Sequence, residues 1–498
     1  MILARLEAII DRSGVAPWIE GLLPVGGRPR QLLVRTLFLG MLLSQADCRP
    51  AHLTRVHRAL VSLEEPDLWR LGVLATWKSG RHLLTYRQTE RTFSLVTEAI
   101  DKDIPDGTTS KKLSEVVDAL TEASIPEAYK AITTSYAVDW SDQEAFSCPP
   151  KEPDGPCADP EASWGRRKSD APGQRDELFF GYEIQAATMV KEEGGEAVPE
   201  LARRITLTTC SVDPPAAFIP VIEAMVGTGI AVSDVLADSG YAYRAAEHWA
   251  LPLRALGANI VTDLHPNDRG CKGTHAGAII CNGNLFCPAT PKPLFELGPL
   301  SRQATGEQTE AHDHKTAELA RYKLGRISAD DEDGFHRVAC PAVMGKVRCP
   351  LRPDSMELSH TRPEILTPPD HPPTCCSQQT TTVPVEVGAK TAQKHDYPSK
   401  AHRRSYARRT AAERTFSTSK DRATNDMTRG WCRLMGITAI SLFVVCGFVV
   451  RNERIVDAFE ARQAEDARRV AAGLQPLTRR RRRKTLGDLA GMAANAPP

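Results

Sequence analysis

Near the C-terminal end, the segment YARRTAAERTFSTSK sets Tyr406, Arg409, Glu413 and Lys420 at intervals of three, four and seven residues. At roughly 100° per residue, a helix brings these positions within about 60° of one another on a single face. One stripe would then carry a carboxylate flanked by two cations and a phenol, a set suited to holding a metal-bound phosphodiester. The ordinary alternative is a solvated basic face in which Glu413 only pairs with Arg409 one turn away. Far upstream, Asp139 in SYAVDWSD and Asp238 in VSDVLADSGYAY each close a short apolar run. Asp142 is the nearest rival to Asp139, and Asp234 and Asp263 are the rivals to Asp238.

The spacing Tyr-x2-Arg-x3-Glu-x6-Lys, preceded by those two aspartates in order, resembles the YREK signature of the DDE transposases of a large bacterial insertion-sequence family. The resemblance runs from about residue 135 to 459, with one long interruption. It implies an α/β fold with a ribonuclease H-like mixed sheet flanked by helices, in which the first and fourth strands are neighbours. It also implies catalysis by Asp139, Asp238 and Glu413, and phosphate contacts from Tyr406, Arg409 and Lys420. Three carboxylates can hold two Mg²⁺ ions, which favour hard oxygen ligands, and Mn²⁺ can substitute. Two such ions serve attack, departure and charge neutralisation at phosphorus. Asp139 would bridge both ions, Asp238 binding one and Glu413 the other. The implied activity is hydrolytic nicking of DNA at the element's ends, followed by strand transfer from the freed 3′-hydroxyl. Terminal inverted repeats and target DNA are the implied double-stranded partners, with a homodimer pairing two ends. A nuclease of the same fold without strand transfer, and a decayed or domesticated copy that binds DNA without cutting it, are the alternatives.

Trp140, beside Asp139, could stack on an unpaired base or belong to the core. Arg403, Arg404 and Arg414, with Lys400 and Arg408, are expected to give general affinity for the DNA backbone. The formal charge of the 498-residue chain is only +1, but from residue 390 onward 23 Lys and Arg face 10 Asp and Glu. This concentration of positive charge around the proposed helix and tail fits a polyanion partner.

The elements that must position these residues follow from patterning. Residues 1–125 carry apolar residues at spacings of three and four, predicting a helical N-terminal domain that binds DNA ends or packs on the core. Strands are predicted at 136–140, 179–190, 205–212, 230–237 and 259–263, with helices at 214–226 and 242–256; the first part of the core is 131–265. Residues 147–175, rich in Pro, Asp and Gly, are expected to form a surface loop. Residues 266–397 are too long for a structureless connection and predict an inserted, partly β subdomain, poorly ordered near 360–390. The core resumes at 398–460, and 461–498 is expected to be a charged helix followed by a disordered basic tail.

Thirteen cysteines in a chain of this size do not suggest a secreted disulfide framework. Cys281 and Cys287, with Cys340 and Cys349, stand in contexts that resemble zinc-knuckle turns. Neither pair has the two-residue spacing of a strong motif, so a structural Zn²⁺ competes with simple packing thiols. His312 and His314 are expected in an exposed loop. The N-terminus lacks the pattern of a signal peptide. The apolar stretch 434–450 falls short of the roughly 20 residues a membrane span needs and predicts a buried core helix. No membrane association is expected, and the protein is expected in the bacterial cytoplasm, associated with the nucleoid.

Overall fold

The computed structural model describes residues 2–26, 30–77, 79–101, 109–152, 155–167, 175–301, 303–428 and 430–477. The expected basic tail lies outside them.

The chain starts with α1 (Ile2–Ser13), α2 (Val15–Leu22), α3 (Val34–Ala46) and α4 (Leu53–Val61), followed by a hairpin of β1 (Leu74–Trp77) and β2 (Gly80–Leu83). Helices α5 (Tyr86–Asp101) and α6 (Lys111–Ala123) follow. The expected helical domain is thus interrupted by a strand pair, and α5 starts only at Tyr86.

The central sheet is mixed. Its strands are β3 (Ser135–Glu144), β4 (Ser163–Arg167), β5 (Glu177–Val190), β6 (Ala202–Thr209), β7 (Asp234–Ala237) and β8 (Asn259–Thr262). β5 is the long antiparallel spine: β3 pairs along one edge, while β6 and β4 pair with successive stretches of the other. Beyond β3 the direction changes, and β7 and β8 run parallel to it. The 147–175 segment is thus not wholly loop, since β4 pairs with β5 inside it.

Helices cover both faces. On one side, α7 (Pro214–Gly227) and Trp249 pack on Tyr136, Val138 and Val235. On the other, the N-terminal helices share one continuous apolar core with Ile184, Ala186 and Leu207 and with α11 (Ile437–Ala471). The apolar stretch Phe443–Val450 lies inside that core, almost fully buried. Among the described residues, no helix is long and apolar enough to cross a membrane.

Between β8 and the next core helix lie two small three-stranded sheets. One comprises β9 (Cys271–His275), β10 (Ala278–Cys281) and β11 (Asn284–Phe286); the other comprises β12 (Gly325–Arg326), β13 (His336–Ala339) and β14 (Thr381–Val383). Between the two runs α8 (Gly306–Arg321), which contains His312 and His314; those residues are helical rather than in a loop. The stretch near 360–390, expected to lack order, supplies β14, whose pairing with β13 satisfies its backbone. Helices α9 (Lys400–Tyr406) and α10 (Thr410–Lys420) return the chain to the sheet.

Candidate active site

Asp139 sits on β3 past the point where β7 ends. The parallel register aligns Ala137 with Leu236, and two further residues bring Asp139 opposite Asp238. Asp238 keeps extended geometry (φ −79°, ψ 177°), and its carboxylate accepts the Gly240 N–H at 2.8 Å, capping the turn Ser239–Ala242. Adjacent strands lie about 4.8 Å apart, so the two carboxylates share one end of the sheet.

Glu413 comes from α10, whose small buried residues Ala411 and Ala412 pack on Ala137, Leu236 and Val261. Small side chains let this helix approach the strand ends closely. Arg409 links the site: its guanidinium lies 3.3 Å from Asp139 Oδ2 and also pairs with Glu413. Its charge lies 5.8 Å from the centre of the Tyr406 ring. The expected single helix is interrupted, because Ala407–Arg409 form one tighter 3₁₀ turn. Tyr406, Arg409 and Glu413 nevertheless stay together. Lys420, at the far end of α10, donates to Asp142 at 3.1 Å.

Asp139 is 16% exposed. Its pKa is pushed up to about 7, first by burial and then by the charge of Asp238; Glu413 adds to this, while Arg409 and the Trp140 N–H oppose it. The proton is held more tightly in the folded chain than in the unfolded one. The stability that Asp139 contributes is therefore complete below about pH 4 and lost as pH rises through 7. In divalent-free buffer, Asp139→Asn should raise the thermal midpoint above the parent's at pH 8, with the gain shrinking towards pH 4. An equal gain at both pH values would contradict this electrostatic picture. Burial likewise pushes the Tyr406 phenol up to about 12, so it stays protonated at neutral pH.

The rival aspartates are committed elsewhere. Asp142 pairs with Arg167 at 2.6 Å as well as with Lys420, and these cations hold its carboxyl below the usual range. Asp263 accepts from the Tyr397 hydroxyl at 2.9 Å. Asp234 is wholly buried at the start of β7 with Arg408 and Lys394, each at 2.7 Å. Arg408, expected to touch DNA, is instead a buried counter-ion: it shares the sheet-facing stripe of α10 and is 7% exposed.

Of the other basic residues, Arg404 is exposed. Arg403 pairs with Asp313 at 2.6 Å and Arg414 with Glu200 at 2.7 Å. The ring of Trp140 packs edge-on against Tyr241, centroids 4.7 Å apart, and meets Gly240 so closely that a Cβ there would come within 2.3 Å of Cη2. Trp140 also lines a groove of about 600 Å³, with Trp164, Tyr243, Arg166 and Arg244.

Arg451 was not evident as a positioning residue. Fully buried in α11, it donates to Thr415 and Thr418 of α10 and to the Glu200 carbonyl, fixing the helix that bears Glu413. The available signal was a lone arginine closing the apolar run LFVVCGFVV.

Among the described residues, no three His, Cys, Asp or Glu side chains stand close enough together to share a metal ion. At the acidic site, Arg409 lies across Asp139 and Glu413. Cys281, Cys287, Cys340 and Cys349 belong to one buried cluster, and Cys375 and Cys376 to another; Cys281 lies directly across the sheet from Cys271.

No family model matches the chain, and no curated protein matches it.

Proposed function

We propose that the chain is a DDE transposase that cuts and rejoins the ends of an insertion sequence, built on a ribonuclease H-like core. The observation that carries this reading is the register that sets Asp139 of β3 beside Asp238 at the end of β7, with Arg409 pairing both Asp139 and Glu413. With the extra edge strand β4 set aside, β3 and β7 are the first and fourth core strands, and their hydrogen-bonded pairing is what such a core requires.

The donor set suits Mg²⁺. All three groups offer carboxylate oxygens, and the proton affinity of Asp139 is raised first by burial and then by the neighbouring charge of Asp238. Asp139, Asp238 and Glu413 would hold two Mg²⁺, or Mn²⁺ in its place; these ions would supply Lewis-acid neutralisation of charge growing on the phosphoryl and leaving oxygens.

The chain's own side chains do the remaining work. Arg409 exchanges its carboxylate partners for a DNA phosphate, which its planar fork can grip through two hydrogen bonds. Tyr406, protonated at neutral pH, donates to another phosphate oxygen. The Gly240 N–H holds the Asp238 carboxylate in one orientation. Lys420 offers positive charge further along the strand, beside Asp142. Arg404 and Lys400, both exposed, add backbone attraction that falls steeply with salt. Water is the nucleophile of the nicking step and the freed 3′-hydroxyl that of the joining step, with no covalent enzyme intermediate. Two ends must be cut together, which calls for a homodimer on the DNA.

The test uses the purified protein, Mg²⁺ and duplexes carrying the DNA that flanks its gene, with plasmid as target. Nicks bearing 3′-hydroxyls, followed by joined products, are expected. Nicks without joining would favour the nuclease, and the absence of any cut with Mg²⁺ or Mn²⁺ would overturn the catalytic reading.

A further inference from the structure

The inserted region holds a group of sulfurs that DNA chemistry does not use. Cys287, Cys340, Cys349 and Cys376 are each less than 8% exposed, and none is in a disulfide. Three of them open turns that share the sequence pattern Cys-Pro-x-x: CPAT at 287, CPAV at 340 and CPLR at 349. The turns close through backbone bonds: Thr290 N–H donates to the Cys287 carbonyl at 3.0 Å, Met344 to Cys340 at 3.0 Å, and Arg352 to Cys349 at 2.9 Å. Proline sets φ for the position after the cysteine. Each turn then brings a backbone N–H near enough to its own sulfur to favour the thiolate: Ala289 near Cys287, Ala342 near Cys340 and Leu351 near Cys349.

N–H groups near sulfur gain little from a neutral thiol, a weak acceptor, and much more from a thiolate. The fourth sulfur arrives from a separate segment. Cys376 sits in the helical turn Thr374–Ser377, anchored by Cys375 N–H to the Ala276 carbonyl at 3.0 Å. Its sulfur lies 3.9 Å from that of Cys375 and is close enough to Cys287, Cys340 and Cys349 to act on each electrostatically. Arg352 completes the surroundings: its charge acts on both Cys349 and Cys376, and its Nε is buried without a hydrogen-bond partner.

We propose that Cys287, Cys340, Cys349 and Cys376 form a four-thiolate structural Zn²⁺ site that staples the inserted region. Four soft sulfur donors from three turns and a helical turn select Zn²⁺ over the hard cations of the acidic site. As they stand, no three of these side chains meet at a common point. Binding draws the sulfurs inward by side-chain rotation until each lies about 2.3 Å from the metal, and the four thiols release their protons to solvent. Arg352 offsets part of the double negative charge of the product. The need for a staple is evident: the strands here are two to five residues long and the apolar clusters small. Cys281 and Cys375 fall outside the ligand set, the first opposite Cys271 and the second sharing a hydrogen bond with Cys376.

The full-length protein, purified without added metal or chelator, should carry about one zinc per chain by mass spectrometry of the metal. Cys287→Ser, Cys349→Ser and Cys376→Ser should each lose most of it, while Cys375→Ser and the exposed Cys148→Ser keep it. Should the ligand variants fail to fold, the parent chain still decides the matter. Titrating its thiols with a mercurial should release the zinc over the same additions that block four thiols, and chelation should lower the thermal midpoint. A metal-free protein whose midpoint ignores chelator, or retention of zinc by Cys376→Ser with its loss from Cys375→Ser, would overturn the assignment. Neither readout depends on DNA cleavage, so failure here leaves the catalytic reading intact.

Discussion

Asp139→Ala should lower DNA nicking by on the order of 10³-fold or more, with binding to the same duplex kept within a few-fold. Glu413→Ala should behave alike. On the proposed reading each removes a group that would act on the reacting phosphate, and residues that act as a unit each cost nearly the whole effect when removed. Affinity should survive because it rests on the many basic side chains of the region rather than on the acids, and removing a negative charge from a site that faces phosphate only helps. The double variant should therefore be scarcely slower than either single one. Nicking assays with gel-shift measurements on the same preparations check both halves. An Asp139→Ala protein that cuts at a tenth of the parental rate or better would remove Asp139 from the site.

The largest effect on stability is expected at Asp234, four residues before Asp238. Its carboxylate is wholly buried and accepts from Arg408 and Lys394, each at 2.7 Å, and from Asn259 at 3.1 Å. These cations hold its pKa below the usual carboxylate value despite burial. Asp234→Ala leaves the Arg408 guanidinium, 4% exposed, without its counter-charge. Breaking a buried pair in this way costs about 3–5 kcal/mol. Asp238→Ala should cost only about 1 kcal/mol, the loss of a cap on a short helical turn. Urea unfolding followed by tryptophan fluorescence separates the two. Equal losses would mean that the division of labour between the neighbouring aspartates is wrong.

That division also marks how far the sequence reached. The apolar runs before Asp139 and Asp238 were enough to put both on or beside strands, because strand burial is written locally; Asp238 follows the end of β7, whereas β3 runs on past Asp139 to Glu144, so the strand end expected there is mid-strand. The turn-forming Ser239-Gly240 beside Asp238 distinguishes it from Asp234, again a local signal. The partners of Asp234 were not legible: Lys394 lies 160 residues away, and nothing near either residue announces the pairing.

Arg408 was misjudged for a different reason. A run of arginines looks uniformly exposed, yet Arg408, Ala411, Ala412, Thr415 and Ser419 recur at spacings of three and four and form the buried stripe of α10 and the turn before it. Arg409, one residue on, falls on the edge that faces the carboxylates. The small residues of that stripe carried the information, but a charged member hid it. The 3₁₀ turn at Ala407–Arg409 has no comparable signal, since no Gly or Pro marks it. The order of the 360–390 stretch was hidden as well, because β14 is only three residues long and takes its pairing from β13, more than forty residues earlier.

The acidic site itself is tested most directly by counting divalent ions. Mn²⁺ added to the protein bound to its end duplex, and followed by electron paramagnetic resonance, should give about two tightly held ions per active site. Asp139→Ala should lose both and Glu413→Ala at least one, with the duplex still bound. A parent complex that holds no more Mn²⁺ than the variant lacking all three carboxylates would contradict the account.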